Sequence, residues 1–351
     1  MARRFRRLAT ITSETMNLPD AEPVLDLIEA FRRSKTMFAA LSMGVFDRLH
    51  ASPATADAVA LHLNAQPDAT GRLLDACAAL GLLHKENGIY SNTPLAATYL
   101  VTGSPHSLYG YIRYSDEALY PMWGNLAGAV REGAPRWMQT FGLDGPIFSS
   151  FFRTDQAMRD FARGMHGFGM LTSPKVAAAF ELGRFHRMAD LGGATGYLAI
   201  AACEMYPQLQ GAIFDLPQVA ELAREQVELS PARERIEIVA GDFFEDQLPE
   251  ADLYALGRVL HDWSDDKIGL LLRKILSRLP SGGALLIAEK LLNEDGVGPI
   301  VANMQSLNML VVTEGMERSL SQYERLLHAA GFADVEGRRT GTPLDAILAV
   351  K

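Results

Sequence analysis

Arg258-Val259-Leu260-His261-Asp262-Trp263 sets an imidazole beside a carboxylate just past the apolar run Leu253–Leu256. Neutral imidazole is the side chain best suited to take a proton near neutral pH. A phenol, with a pKa of about 10, is a poor nucleophile without such help, and a positioned base contributes roughly 10²–10⁴ in rate. The imidazole in turn needs an acid to fix its tautomer and stabilise its cation. Asp262, Glu289 after the run Ala284–Ala288, and Glu317 in Gly315-Met316-Glu317-Arg318 are all candidates. His84, His106 and His186 have no such setting and read as surface residues.

A second constellation lies about 70 residues upstream, in the sense of a spaced motif: Asp190-Leu191-Gly192-Gly193-Ala194-Thr195-Gly196. Gly192 and Gly193 let backbone approach a ligand where a Cβ would block it. Asp215, in Phe214-Asp215-Leu216-Pro217, stands 23 residues beyond Gly192, near the ~20 expected of a ribose-binding acid. Capping a helix before Pro217 is its plainer alternative. Gly241-Asp242-Phe243-Phe244 offers an acceptor for adenine amino hydrogens and a ring to cover the base, with one of the two rings expected in the core. Asp190 would repel a pyrophosphate and suits a cationic ligand. The cofactor reading therefore moves from NAD to S-adenosylmethionine, and the chemistry to transfer of a methyl group onto a hydroxyl.

Phe161, Met165, Phe168 and Met170 form a stripe ahead of these motifs. Such stripes are more often core, but thioether and aromatic groups also suit the roof over a flat acceptor. Trp263 reads as a core anchor beneath its loop. No His, Cys or carboxylate spacing resembles a metal ligand set, so no metal is expected.

The elements that would position these residues fall into two parts. Strands are expected at Met188–Asp190, Ala212–Asp215, Ile236–Ala240, Leu253–Leu256 and Ala284–Ala288, with helices such as Tyr197–Met205 and Lys267–Leu279 between them. Val335–Arg339 and Ala346–Val350 close the chain as a hairpin. The pattern is α/β, a doubly wound sheet with an antiparallel finish. Residues 22–180 read as helical: Val24, Leu25, Leu27, Ile28 and Phe31 make one apolar face, and Phe38, Leu41, Val45, Phe46 and Leu49 another. Thr55 and Pro67 open two further helices, and Gly88–Asn92 reads as one arm of a hairpin. Three helices and a hairpin make a winged-helix pattern. Its cations Lys35, Arg48, Arg72 and Lys85 face five acids, Asp47, Asp57, Asp68, Asp75 and Glu86, a balance that cannot track phosphates. A dimerisation module is expected, and a DNA-binding regulator is not.

The whole chain supports this. Its 351 residues suggest two units, and 48% hydrophobic with 21% charged residues is a globular composition. Net charge −9 argues against nucleic acid. Cys77 and Cys203 sit in apolar runs and exclude a disulfide framework. No apolar run nears the ~20 residues of a membrane span. Arg3, Arg4, Arg6 and Arg7 precede no apolar segment, so residues 1–21 are expected to be a disordered arm, with Met16 an alternative start, and the protein cytoplasmic.

DLGGATG, FDLPQV, GDFF, RVLHDW, GGALLIAEKLL, SLNMLVVTEGMER and TGTPLDAILAVK resemble the plant-type small-molecule O-methyltransferases, the acetylserotonin enzymes among them. The resemblance runs from about residue 22 to the end and implies a homodimer and a class I methyltransferase domain over 181–351, behind a dimerisation and substrate-roof domain over 22–180. It implies His261 as base, Glu317 as its orienting acid and Glu289 beside them. It implies cofactor contacts from Asp215, with Leu216 and Gly241 alongside, and from Asp242, Phe243 and Arg258. Asp262 and Asn308 would face the acceptor. The chain departs from the family in two places. Ala194 replaces the middle glycine, and Val312 replaces a substrate-binding glutamine of the acetylserotonin enzymes. An aromatic or polyketide-like hydroxyl other than N-acetylserotonin is expected. The rival is the same scaffold turned to decarboxylation, hydroxylation or pericyclic chemistry.

Overall fold

Gly44, with φ of 82°, ends helix α1 (Glu22–Ser42) and starts α2 (Val45–Ala51) in the computed structural model, which describes residues 19–145 and 154–351. The series Phe38, Leu41, Val45, Phe46 and Leu49 is therefore shared by two helices, and all five side chains are buried in one N-terminal core. The N-terminal half of α1 is not covered: Val24, Leu25, Leu27, Ile28 and Phe31 are 53–74% exposed. The arm expected over 1–21 lies, but for its last three residues, outside the described residues.

Thr55, in strand β1 (Ala54–Thr55), accepts the Ala58 N–H and caps α3 (Ala56–Leu63), and Pro67 opens α4 (Pro67–Ala79). The pair β2 (Leu83–Glu86) and β3 (Ile89–Asn92) turns through Asn87-Gly88, both at positive φ, and the small sheet runs β1-β3-β2. Among the described residues, five short α-helices, α5 to α9 (Pro94–Tyr99, Tyr109–Tyr114, Tyr120–Trp123, Leu126–Glu132 and Trp137–Phe141), and a π-helical turn (Ser115–Leu119) precede the long α10 (Asp155–Ala177). A Cβ on Gly164 would stand 2.8 Å from the Tyr111 backbone. That glycine lets α6 and α10 lie in contact, which brings Tyr111 and Tyr114 beside Phe161 and Met165.

Seven strands follow: β4 (Arg187–Leu191), β5 (Gln210–Asp215), β6 (Ile236–Ala240), β7 (Leu253–Gly257), β8 (Ala284–Glu289), β9 (Asp334–Arg338) and β10 (Asp345–Val350). All lie within two residues of the positions expected. They order as β6-β5-β4-β7-β8-β10-β9, parallel except for β10, which is antiparallel to β8 and β9. Helices α11 (Tyr197–Met205), α12 (Pro217–Val227), α13 (Asp265–Arg278), α14 (Ile300–Val312) and α15 (Leu320–Ala330) complete the chain. Strand alternation sends Met188, Ile213, Ala255 and Leu286 into one core and Ala189, Phe214, Leu256 and Ile287 into the other, as a sheet covered on both faces requires. This is a mixed α/β sheet covered on both faces, as the class I methyltransferase resemblance implies, behind an N-terminal helical domain.

Register decides where chemistry can occur. Leu191 pairs with Phe214, Asp215 with Ala240 and Gly257 with Ala288, so the carboxyl ends of β4 to β8 share one edge. Ligands of open α/β sheets bind outside that edge. Among the described residues no helix is long and apolar enough to cross a membrane. Cys77 and Cys203 are buried and unpaired, and burial pushes both thiols up to about 11.

Candidate active site

A cavity of about 1390 Å³ opens over this edge, between the sheet and α10. At one end the turn after β4 meets the ends of β5 and β6. Gly192 has φ of 68°, and a Cβ there would press on Val259 at 2.9 Å. The Asp215 carboxylate accepts the backbone N–H groups of Ala194 and Leu216, each at 2.7 Å, and stays on the cavity wall with Leu216 and Gly241. It is the last residue of β5 and does not cap α12. Burial pushes it up to about 6, against the pull of those two N–H groups. The Asp242 carboxylate accepts the Phe244 N–H at 2.8 Å. Phe243 and Phe244 meet edge-on at 4.8 Å, and both are half-buried on the wall rather than one in the core. Trp263, expected beneath the loop, also reaches the wall, edge-on to Phe244 at 5.0 Å.

Ala194 takes φ of 50°, a region that costs an L-residue roughly 1–2 kcal/mol. Ala194→Gly should raise stability by about 0.5–1 kcal/mol once glycine's larger unfolded-state freedom is deducted. A denaturant midpoint that stays put or falls would refute this.

His261 lies just past β7 in a single 3₁₀ turn (Leu260–Asp262) and is 3% exposed. Its Nδ1 is 2.7 Å from Glu317 Oε1 and 3.3 Å from Glu289 Oε2, and its Nε2 is 3.7 Å from Asp262 Oδ1. Of the three acids left open by the sequence, Glu317 makes the short contact. Glu289 also shapes the turn that carries the imidazole, because its Oε1 accepts the N–H groups of Val259, Leu260 and His261 at 3.1, 3.0 and 3.3 Å. Burial lowers the pKa of His261, outweighing the neighbouring acids, which keeps the ring neutral and able to accept a proton. Burial pushes Glu289 up to about 7 and Asp262 up to about 6. His261, Glu289 and Glu317 also bring one ligand atom each within 4.8 Å of one another, a convergence that sequence spacing did not reveal.

At the other end, Phe161, Met165, Asn308, Val312 and Asp262 line the cavity with Tyr111, Tyr114 and Met309. Asn308 Oδ1 accepts the Trp123 indole N–H at 2.9 Å, and the Val312 carbonyl accepts that of Trp137 at 2.9 Å. Arg258, at φ of 57°, turns its guanidinium to Met165 Sδ (3.1 Å) and over the Phe168 ring (4.8 Å).

An O-methyltransferase domain model matches residues 123–333, and an O-methyltransferase dimerisation domain model matches 25–102. The chain belongs to the O-methyltransferase family. Acetylserotonin O-methyltransferase of Bos taurus is 42% identical over 328 residues, 92% of this chain and 95% of that enzyme. The solved structure of human N-acetylserotonin methyltransferase, in complex with SAM, superposes with a TM-score of 0.90 at 40% identity over 96% of this chain and 99% of that one. Mitomycin 7-O-methyltransferase superposes at 0.83 with 27% identity, over 94% and 97%.

Within this O-methyltransferase some expected residues stand back from the cavity. Asp190 is 1% exposed, accepts the Ala199 N–H at 3.3 Å and is pushed up to about 7 by burial. Gly193 packs on it, with a Cβ position 2.9 Å from Asp190 Cγ. Neither lines the cavity, so Asp190 braces the turn from behind. Met170 points outward, 36% exposed: nine residues past Phe161, it falls on the opposite side of α10 at about 100° per residue. Phe168 is buried beneath Arg258 rather than in the roof. Sequence reasoning missed Tyr111 and Tyr114, whose short helix carries no motif. It also missed His166, whose Nδ1 is 2.8 Å from Thr195 Oγ1 and ties α10 to the glycine turn.

Proposed function

We propose that this O-methyltransferase methylates an aromatic hydroxyl of a small molecule without a metal, using S-adenosylmethionine and His261 as general base. The reading rests on one observation above all: Glu317 occupies His261 Nδ1, leaving Nε2 as the free nitrogen of a ring that borders the cavity. When bound, S-adenosylmethionine supplies an electrophilic methyl carbon on a cationic sulfur. The residues present suit it: Gly192 clears backbone for close approach, Asp215 has acceptor capacity for a ribose diol, and Asp242 with Phe243 suits adenine. Gly193 and Asp190 support that turn, while Leu216, Gly241 and Arg258 complete the wall. His261 Nε2 takes the acceptor's proton as its oxygen attacks, and Glu317 stabilises the imidazolium that results. Asp262, beside Nε2, helps orient the hydroxyl.

The acceptor end has apolar walls from Phe161, Met165 and Val312. Trp123 takes one lone pair of the Asn308 oxygen, so the amide N–H₂ and the second lone pair are free to meet an acceptor. Val312 offers no hydrogen bond from its side chain, which favours an acceptor other than N-acetylserotonin. The test is a panel of phenolic acceptors with methyl-labelled S-adenosylmethionine, with and without EDTA. Label should appear on oxygen at an unchanged rate in EDTA. Product without label would favour the repurposed-scaffold chemistry instead, and loss of turnover in EDTA would refute the metal-free reading.

The dimerisation domain and the bare apolar face of α1 support a homodimer. The order β1-β3-β2 packed with α2 to α4 supports reading that domain as a winged-helix module. Leu27→Asp with Ile28→Asp should give a monomer in sedimentation velocity. A variant that sediments as a dimer would place the interface elsewhere.

A further inference from the structure

Ala194 is the strained residue of the glycine turn, and it lies on the cavity wall. Its N–H is given to the Asp215 carboxylate at 2.7 Å, which holds the turn from the side of β5. The next residue is held from the opposite side. Thr195 is 3% exposed, and its hydroxyl has one hydrogen-bond partner among the described residues, His166 Nδ1 at 2.8 Å. The dipeptide is thus gripped twice, by a carboxylate of the sheet and by an imidazole of α10.

The imidazole stands on a fixed mount. A Cβ on Gly167 would lie 2.6 Å from the Ser107 carbonyl oxygen, and one on Gly169 would lie 2.2 Å from the Tyr197 ring. At His166, therefore, α10 is wedged between the chain leading into α6 and the first turn of α11. Burial lowers the pKa of His166, so its ring is neutral and does not repel a cationic ligand at the turn.

What needs holding is Ala194. At φ of 50° an L-residue is disfavoured by a factor of roughly five to thirty. A turn without a brace would relax, and a ligand that needs the strained shape would bind more weakly by the fraction still in that shape. We propose that His166 is a positioning residue: its bond to Thr195, made from a helix wedged between Ser107 and Tyr197, holds the Ala194 turn in the strained form that receives S-adenosylmethionine. The proposal rests on that turn being the cofactor's seat.

His166→Leu keeps the bulk of the side chain and removes the polar atom. Calorimetric titration of the full-length protein with S-adenosylmethionine should show binding weakened about five- to thirtyfold, a ceiling set by the strain at Ala194. Thr195→Val should lose as much, and the double variant no more than either alone. His166→Asn, whose side-chain oxygen stands at the same branch as Nδ1, should bind nearly as wild type. The deciding comparison uses an Ala194→Gly background, because glycine takes positive φ freely; there His166→Leu should weaken binding by less than about twofold. An equal loss in both backgrounds makes His166 a packing residue and overturns the proposal. So does wild-type affinity in His166→Leu, whatever happens to its melting temperature. If Asp215→Ala also binds S-adenosylmethionine as the wild type does, the turn is not the seat, and the cofactor reading fails along with this inference. If Asp215→Ala loses binding while His166→Leu keeps it, only this inference fails.

Discussion

His261→Ala is expected to lower kcat by roughly 10²–10⁴-fold, the usual contribution of a positioned general base, while S-adenosylmethionine binding by calorimetry changes little. The separation follows from the geometry. The imidazole hangs from a turn whose three N–H groups are held by Glu289, so removing the ring does not release the backbone. Phe243, Asp215 and Asp242, which suit the cofactor, belong to the other end of the cavity. An alanine leaves Glu289 and Glu317 facing each other without the ring between them, and their shared burial then favours protonation of one. Stability should therefore change modestly. Turnover of a true acceptor within twofold of wild type would remove His261 from the chemistry. Loss of cofactor binding along with turnover would make it a structural residue.

The sheet was legible because its strands are short apolar runs between turn residues, and burial on both faces leaves no other reading for Leu253–Gly257 or Ala284–Glu289. The placing of Gly192, Asp215 and Asp242 at one end of the cavity was legible too, since each stands at or just past a strand end and register brings strand ends together. What escaped were contacts between distant segments. No spacing links Glu317 to His261, fifty-six positions apart: spacing alone left three acids open, the family resemblance pointed to Glu317, and the fold sets Glu317 Oε1 2.7 Å from the ring. Charge alone places Asp190 against a cationic ligand, but the close packing of Gly193 and the Ala199 N–H draw it behind the turn. Size alone puts Trp263 in the core, whereas Phe244 and Lys267 hold its ring at the wall. Hydrophobic periodicity found α1 but could not say which half of its apolar side lacks a cover within the chain.

Glu317→Gln is the other large effect, because it alters the tautomer without altering shape. In the wild type the carboxylate can only accept from Nδ1–H when ionised, which leaves Nε2 as the acceptor. A glutamine can present either its oxygen or its N–H₂ to Nδ1. The buried site decides, since Oε1 at 2.7 Å and an otherwise unpartnered Oε2 exchange roles with one rotation of the amide. Molecules with N–H₂ toward Nδ1 carry the ring proton on Nε2 and are inactive. Those with oxygen toward it keep the right tautomer but lose the charge that stabilises the imidazolium, so both populations are slow. A loss of roughly 10²–10⁴-fold in kcat is expected, the scale seen when the acid of a histidine pair becomes an amide. The pH dependence separates this from simple damage. Burial holds Glu317 above the ordinary carboxylate range, so wild-type kcat should rise with pH as that acid ionises. Burial keeps His261 below its usual value, so the ring is already neutral there and does not set that limb. With the titrating acid gone, the variant's kcat should lie flat across the same window. A Glu317→Gln enzyme that keeps the wild-type acid limb would assign that limb to Glu289 or Asp262 instead.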